Sequence, residues 1–217
     1  MWIKICGIRD VETAAAVAAL GVQAIGLNFF ARSPRVVEPD TAARIVADLP
    51  PDVEPVGVFV NHTVSEIENI CRRTGLRTVQ LHGDESPDIV AALAARFRII
   101  RAFRVGDDGL KHVAEYLDRC RELGAMPVAC LIDANVAGHY GGTGHTAPWD
   151  LLRRDWKTAE WPPLILAGGL RPDNLAEAIQ SVQPWGVDVA GGVESAPGVK
   201  DIDKVCEFVR QCSRVTP

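Results

Sequence analysis

Apolar, β-branched runs of three to six residues alternate along the chain with longer runs that mix Ala and Leu with Arg and Glu. The first kind predicts buried strands and the second helices. Strands are expected at 2–6, 24–29, 56–60, 78–81, 99–103, 128–133, 164–167 and 187–189. Helices are expected at 11–20, 41–49, 64–74, 87–96, 109–123, 149–153, 174–182 and 202–212, with the stretch after the sixth strand the least regular. Strict alternation implies a parallel sheet with helices outside it. Eight such units in 217 residues predict an α/β fold, a single (β/α)8 TIM barrel forming one domain over 1–217. The rival is a doubly wound open sheet, which binds ligand through a glycine-rich first turn. Here that turn, Cys6-Gly7-Ile8-Arg9-Asp10, has one glycine.

Local signals agree with this layout. Asp10 can cap the first helix with Thr13 nearby. Thr63 or Ser65 can cap the third, with Glu66 and Glu68 in its first turn. Pro172 with Asp173 opens the seventh. No linker or low-complexity segment divides the chain.

Composition narrows the function. Hydrophobic residues make up 47%, enough for a large core, but no run nears the roughly 18 apolar residues that span a bilayer. A net charge of −5 without a basic patch argues against nucleic acid as a partner. Six cysteines, at 6, 71, 120, 130, 206 and 212, show no CxxC pair and no zinc spacing, so no metal site is expected. With no signal-peptide layout, the expectation is reduced thiols in the cytoplasm.

In a (β/α)8 barrel the active site lies at the C-terminal strand ends. Cys6 ends the first strand, where a reactive thiol would be useful, although most cysteines are small buried hydrophobes. If Cys6 faces the mouth, Trp2 and Lys4 share its face while Ile3 and Ile5 face the helices. Asp133 ends the apolar run Val128-Ala129-Cys130-Leu131-Ile132, where an acid either caps a turn or does chemistry. Cys130 then faces outward as a packing residue. Cys71, Cys120, Cys206 and Cys212 sit on helices and also suit packing. Arg35, in the stiff Ser33-Pro34-Arg35 loop, offers a planar fork for a carboxylate, although alone it better suits a solvated surface. His82 follows Gln80 on one strand face, and the two could be a core polar pair.

Glycines mark two further strand ends. Gly168-Gly169 follows the seventh strand and Gly191-Gly192 the eighth, and loops in these places commonly seat phosphate. The run 138–144 after the sixth strand is also glycine-rich. Gly142-Thr143-Gly144-His145-Thr146-Ala147 imitates a dinucleotide fingerprint, but Pro148 falls where a helix should be running, so a mobile lid is expected instead.

Together these pieces resemble the phosphoribosylanthranilate isomerases of tryptophan biosynthesis. The resemblance rests on Lys4-Ile5-Cys6-Gly7-Ile8, Ser33-Pro34-Arg35, Val56-Gly57-Val58-Phe59-Val60-Asn61, Gln80-Leu81-His82-Gly83 and Asp133. It continues through Gly141-Gly142-Thr143-Gly144, Leu166-Ala167-Gly168-Gly169-Leu170, Gly192-Val193-Glu194 and Pro197-Gly198-Val199-Lys200-Asp201, in the family's order. Two departures stand out. Asp188-Val189-Ala190-Gly191 lacks the serines usual after that Asp, and Ala147-Pro148-Trp149 replaces a Phe-Asp-Trp.

The resemblance implies a cofactor-free Amadori rearrangement of a phosphorylated aminoaldose, in a monomer or homodimer that binds neither nucleic acid nor membrane. It assigns Cys6 as general base and Asp133 as general acid. Substrate binding would fall to Arg35, His82, Gly168, Gly169, Asp188, Gly191 and Gly192, with Arg35 on the anthranilate carboxylate. Lys4 is expected to favour a Cys6 thiolate and burial a neutral Asp133. The alternatives are the related isomerase of histidine biosynthesis, which uses an Asp at the first strand end, a dual-substrate enzyme, and an inactive sugar-phosphate-binding barrel.

Overall fold

The computed structural model describes residues 1–105, 109–134 and 149–215. Among them, eight parallel strands close into a barrel: β1 (Trp2–Cys6), β2 (Ala24–Asn28), β3 (Glu54–Phe59), β4 (Thr78–Leu81), β5 (Arg98–Val105), β6 (Ala129–Ala134), β7 (Leu164–Leu166) and β8 (Gly186–Val189). β1 pairs with β2 on one side and β8 on the other, which sets Lys4 opposite Asp188 and Cys6 opposite Gly26. The helices are α1 (Val11–Ala18), α2 (Pro39–Asp48), α3 (Val64–Thr74), α4 (Pro87–Ala94), α5 (Lys111–Glu122), α6 (Trp149–Asp155), α7 (Leu175–Val182) and α8 (Ile202–Val215). The predicted alternation holds, and the element ends move by a few residues. The glycine-rich run 138–144 and Ala147-Pro148 lie outside the described residues. No helix among the described residues is long and apolar enough to cross a membrane.

The strands read as nearly continuous apolar runs because both their faces are buried. One face fills the barrel with small and branched side chains, Ala24, Val56, Ile100, Ala129, Leu131 and Ile165 among them, and Trp2 plugs its lower end. The other face, with Ile3, Ile5, Leu27 and Cys130, packs under the helices. Cys71, Cys120 and Cys212 join that outer layer from the helices. Cys206 is only half-buried, beside Arg210.

Caps fix where helices begin. The Asp10 carboxylate accepts from the Thr13 N–H at 2.7 Å, and Thr63 and Glu66 form a reciprocal capping box. Pro172 and Asp173 lie in the turn before α7, where Asn174 Oδ1 accepts from the Arg171 N–H at 2.8 Å. A two-stranded ribbon, β9 (Glu194–Ala196) with β10 (Val199–Lys200), follows β8 and was not predicted. It presses on the 33–35 loop so closely that a Cβ on Gly198 would lie 2.4 Å from Pro34 O. That contact ties the ribbon to the loop carrying Arg35.

Candidate active site

The C-terminal mouth of the barrel holds a cavity of about 440 Å³. Cys6, Arg35, His82, Asp133, Gly168, Gly169, Asp188, Gly191 and Gly192 all line it, so the strand ends bring every predicted site residue to one place.

Cys6 and Lys4 point inward from β1, as alternation requires. Lys4 is completely buried, and its Nζ donates to Asp188 Oδ1 at 2.8 Å across the β1–β8 seam. Burial works against the Lys4 charge, but Asp188 and Cys6 outweigh it and hold its pKa above the ordinary value. The expected free thiolate does not follow. Burial pushes the Cys6 thiol up; Lys4 and Lys200 pull it down, while the Asp188 charge adds to the rise, leaving it above its ordinary 9.0. Lys4 shares its charge with Asp188, so it cannot favour the thiolate as an unpaired cation would.

Arg35 also differs from expectation. Its fork grips Glu194 of β9, with Nε to Oε1 at 2.7 Å and Nη2 to Oε2 at 2.8 Å. Gly7, at φ 84°, makes room: a Cβ there would lie 2.6 Å from Arg35 Cδ. Lys200 from β10 donates to the same Glu194 Oε1 at 2.7 Å and to Ala190 O at 3.0 Å. Burial raises the Glu194 carboxyl, but these bonds outweigh it and hold it below its ordinary 4.5. Two cations thus share one carboxylate, which leaves this cluster with a surplus positive charge. Glu194 and Lys200 belong to the motifs quoted above, yet nothing in their spacing revealed that they meet Arg35.

His82 follows β4 and bridges two neighbours. Gln80 Nε2 lies 2.8 Å from its Nδ1, and Asp133 Oδ2 lies 3.4 Å from its Nε2. The turn bearing His82 is clamped from behind. Glu85 accepts from the Asn61 N–H at 2.8 Å and the Gly83 N–H at 2.9 Å. Arg101, buried on β5, donates to Leu81 O at 2.9 Å and Gly83 O at 3.2 Å. Sequence reasoning missed this clamp; its one signal is a charge amid the apolar Ile99-Ile100-Arg101-Ala102-Phe103.

At the far side, Gly168 and Gly169 adopt φ of 81° and 66°, conformations that favour glycine. Gly191–Val193 forms a 3₁₀ turn, and a Cβ on Gly192 would lie 1.8 Å from Leu170 O. The two glycine turns therefore pack backbone against backbone. A Cβ on Gly191 would sit 3.2 Å from Arg35 Nη2, so the Arg35–Glu194 pair borders this turn. Phe30, Val58 and Val60 add apolar wall between the polar groups.

A thiol and a carboxyl converge on a cavity that has glycine turns at one side and a shared positive cluster beside them. Residues 3–211 match the family described as N-(5'phosphoribosyl)anthranilate (PRA) isomerase. The chain belongs to the PRA isomerase family. It is 44% identical over 213 residues to the N-(5'-phosphoribosyl)anthranilate isomerase of Geobacter metallireducens, covering 96% of this chain and 97% of that one. It matches the crystal structure of the isomerase from Thermotoga maritima with a TM-score of 0.86 at 34% identity, over 99% of both chains. A further isomerase structure, in complex with reduced 1-(o-carboxyphenylamino)-1-deoxyribulose 5-phosphate, matches with a TM-score of 0.83 at 33% identity, again over 99% of both. Like other PRA isomerases, the protein is an aldose–ketose isomerase of tryptophan biosynthesis, acting on N-(5'-phosphoribosyl)anthranilate.

Proposed function

We propose that Cys6 and Asp133 carry the proton transfers of this isomerisation, an Amadori rearrangement. The observation that supports the assignment is their convergence on one cavity from strands on different sides of the ring. Asp133 protonates the ribose ring oxygen; the C1–O bond breaks as the anilino nitrogen lone pair forms the C=N bond of a cationic Schiff base. The Cys6 thiolate takes the C2 proton, and that electron pair becomes the C1=C2 bond of a neutral enolamine. Return of a proton from Cys6 to C1, and of the C2 hydroxyl proton to Asp133, gives the ketone and restores both groups. Cys6 rests as a buried thiol; it loses its proton to solvent at the cavity mouth as the Schiff-base cation forms beside it, which favours the thiolate, and it regains one after turnover.

The remaining residues supply handles. Gly168, Gly169, Gly191 and Gly192 seat the phosphate on backbone N–H groups, which takes the place of the serines absent after Asp188. Asp188 and His82 meet sugar hydroxyls. Arg35, held in place by Glu194, faces the anthranilate carboxylate. No metal or cofactor enters these steps, because side chains carry each proton. The reading further takes 1–217 as one domain, working in the cytoplasm as a monomer or homodimer, which sedimentation would distinguish.

Loss of the substrate's anthranilate fluorescence tests the assignment. Cys6→Ser and Asp133→Asn should each lower kcat by about 10²-fold or more while folding normally. Near-normal kcat in either would falsify that residue's role. Exhaustive chelation should leave the rate unchanged.

A further inference from the structure

Gln80 is almost wholly buried, and its Oε1 has no hydrogen-bond partner among the described residues. A buried acceptor left unpaired is destabilising, so its retention at the wall of an active site calls for a reason. The reason lies at the other end of the amide. Gln80 Nε2 sits 2.8 Å from His82 Nδ1, and an amide nitrogen can only donate. Nδ1 must therefore be the bare nitrogen of the ring, and neutral His82 carries its proton on Nε2. Asp133 Oδ2 lies 3.4 Å from that nitrogen. Where Oδ2 takes up this donor it is an acceptor, and the proton that Asp133 delivers then sits on Oδ1.

We propose that Gln80 is a positioning residue: it sets the tautomer of His82 and, through it, which oxygen of Asp133 carries the acid proton. This rests on the reading of Asp133 as general acid. The clamp of Arg101, Glu85 and Asn61 holds the main chain next to His82, which leaves the ring's proton as the variable that Gln80 governs. The charged groups around the ring are Asp133 from β6 and the Arg101–Glu85 pair behind Gly83, with Cys6, Arg35 and Asp188 also lining the cavity. The same arrangement accounts for the unpaired Oε1: the amide spends its donor end on Nδ1, which leaves the Nε2 proton for an Asp133 oxygen.

The test is ¹⁵N NMR of histidine-labelled protein, with the His82 signals identified by their loss in His82→Gln. The unsubstituted enzyme should show a protonated Nε2 and a bare Nδ1 near neutral pH. Gln80→Glu puts an acceptor against Nδ1 and should move the proton there. It should also lower kcat by about tenfold or more and raise KM by less, since it misaligns the acid and only changes how His82 meets its sugar hydroxyl. A bare Nε2 in the unsubstituted enzyme overturns the proposal, even if Gln80→Glu does not fold. So does Gln80→Glu with unaltered His82 signals. An active Asp133→Asn enzyme, by contrast, removes the acid assignment and leaves the tautomer result standing.

Discussion

A side chain on Gly26 would collide with the Cys6 thiol. Its first carbon would lie 2.7 Å from Cys6 Sγ and 3.0 Å from Lys4 Nζ. β2 therefore carries a glycine where β1 packs a thiol beside a buried ammonium. Gly26→Ala should destabilise the fold by about 1–3 kcal/mol, the usual cost of overpacking, and should lower kcat by displacing Sγ. Urea unfolding beside steady-state kinetics checks both effects. An alanine variant with unaltered stability and rate would mean that the two strands shift apart at no cost.

Cys6 should titrate above its ordinary 9.0 in the free enzyme, because burial outweighs the help of Lys4. The pH dependence of iodoacetamide labelling, followed on the Cys6 peptide, measures this directly, and bound substrate should protect the thiol. Lys4→Met should move the midpoint higher still. It should also cost about 3–5 kcal/mol of stability, since Asp188 is left as a buried charge without its partner. A labelling midpoint below 9.0 in the unsubstituted protein would contradict the balance of charges described here.

Glu194 is the keystone of the cation cluster. Removing its charge in Glu194→Gln should raise KM more than it lowers kcat, because Arg35 loses the partner that aims it. Its depressed carboxyl contributes stability above its ordinary 4.5, and this is lost as pH falls through the lower folded value. Arg35→Ala should weaken substrate binding by about 1.5–3 kcal/mol, and by less for an analogue without the anthranilate carboxylate. If the loss shrinks instead only for an analogue without phosphate, Arg35 serves the glycine turn it borders.

The phosphate seat has its own probe. Gly192→Ala would place a methyl 1.8 Å from Leu170 O, so the two glycine turns must part. KM should rise at least about tenfold, and competitive inhibition by inorganic phosphate should weaken in step. Unchanged phosphate inhibition would move that subsite elsewhere.

Buried thiols should make the fold sensitive to alkali. Burial lifts Cys71 and Cys212 from 9.0 to about 12 and Cys120 to about 11. A thiol whose pKa is raised by folding contributes fully below 9.0, and that contribution drains away as pH rises toward the folded value. The loss should approach about 1.4 kcal/mol per pH unit for each thiol. Urea midpoints under reducing conditions at pH 8 to 11 would record it as a falling line, which Cys71→Ala and Cys212→Ala should flatten.

The barrel was legible because its strands are buried on both faces and its helices are rich in charge, so the two kinds of run contrast sharply. Element ends were less so: β5 runs on to Val105 and α8 to Val215, since pairing and packing carry an element past its pattern. The β9–β10 ribbon escaped because three residues paired with two carry no periodicity. Cys6 and Asp133 stood out as polar residues ending apolar runs. Glu194 could not be read as the partner of Arg35, nor Asp188 as that of Lys4, because pairs 159 and 184 residues apart leave no local trace. The clamp on His82 is hidden in the same way, its members spread over the turns after β3 and β4 and the middle of β5.

The bond between Lys4 and Asp188 joins the first strand to the last, and this sets a timetable for the growing chain. At about 5–20 residues per second, the counter-charge of Lys4 is made some 10 to 40 s after Lys4 itself. Until then β1 carries an ammonium into an unclosed sheet with an open hydrogen-bonding edge. A chain made only as far as its seventh strand has neither the β1–β8 seam nor the 188–192 side of the mouth. The aspartate that pairs across the closing seam also lines the site.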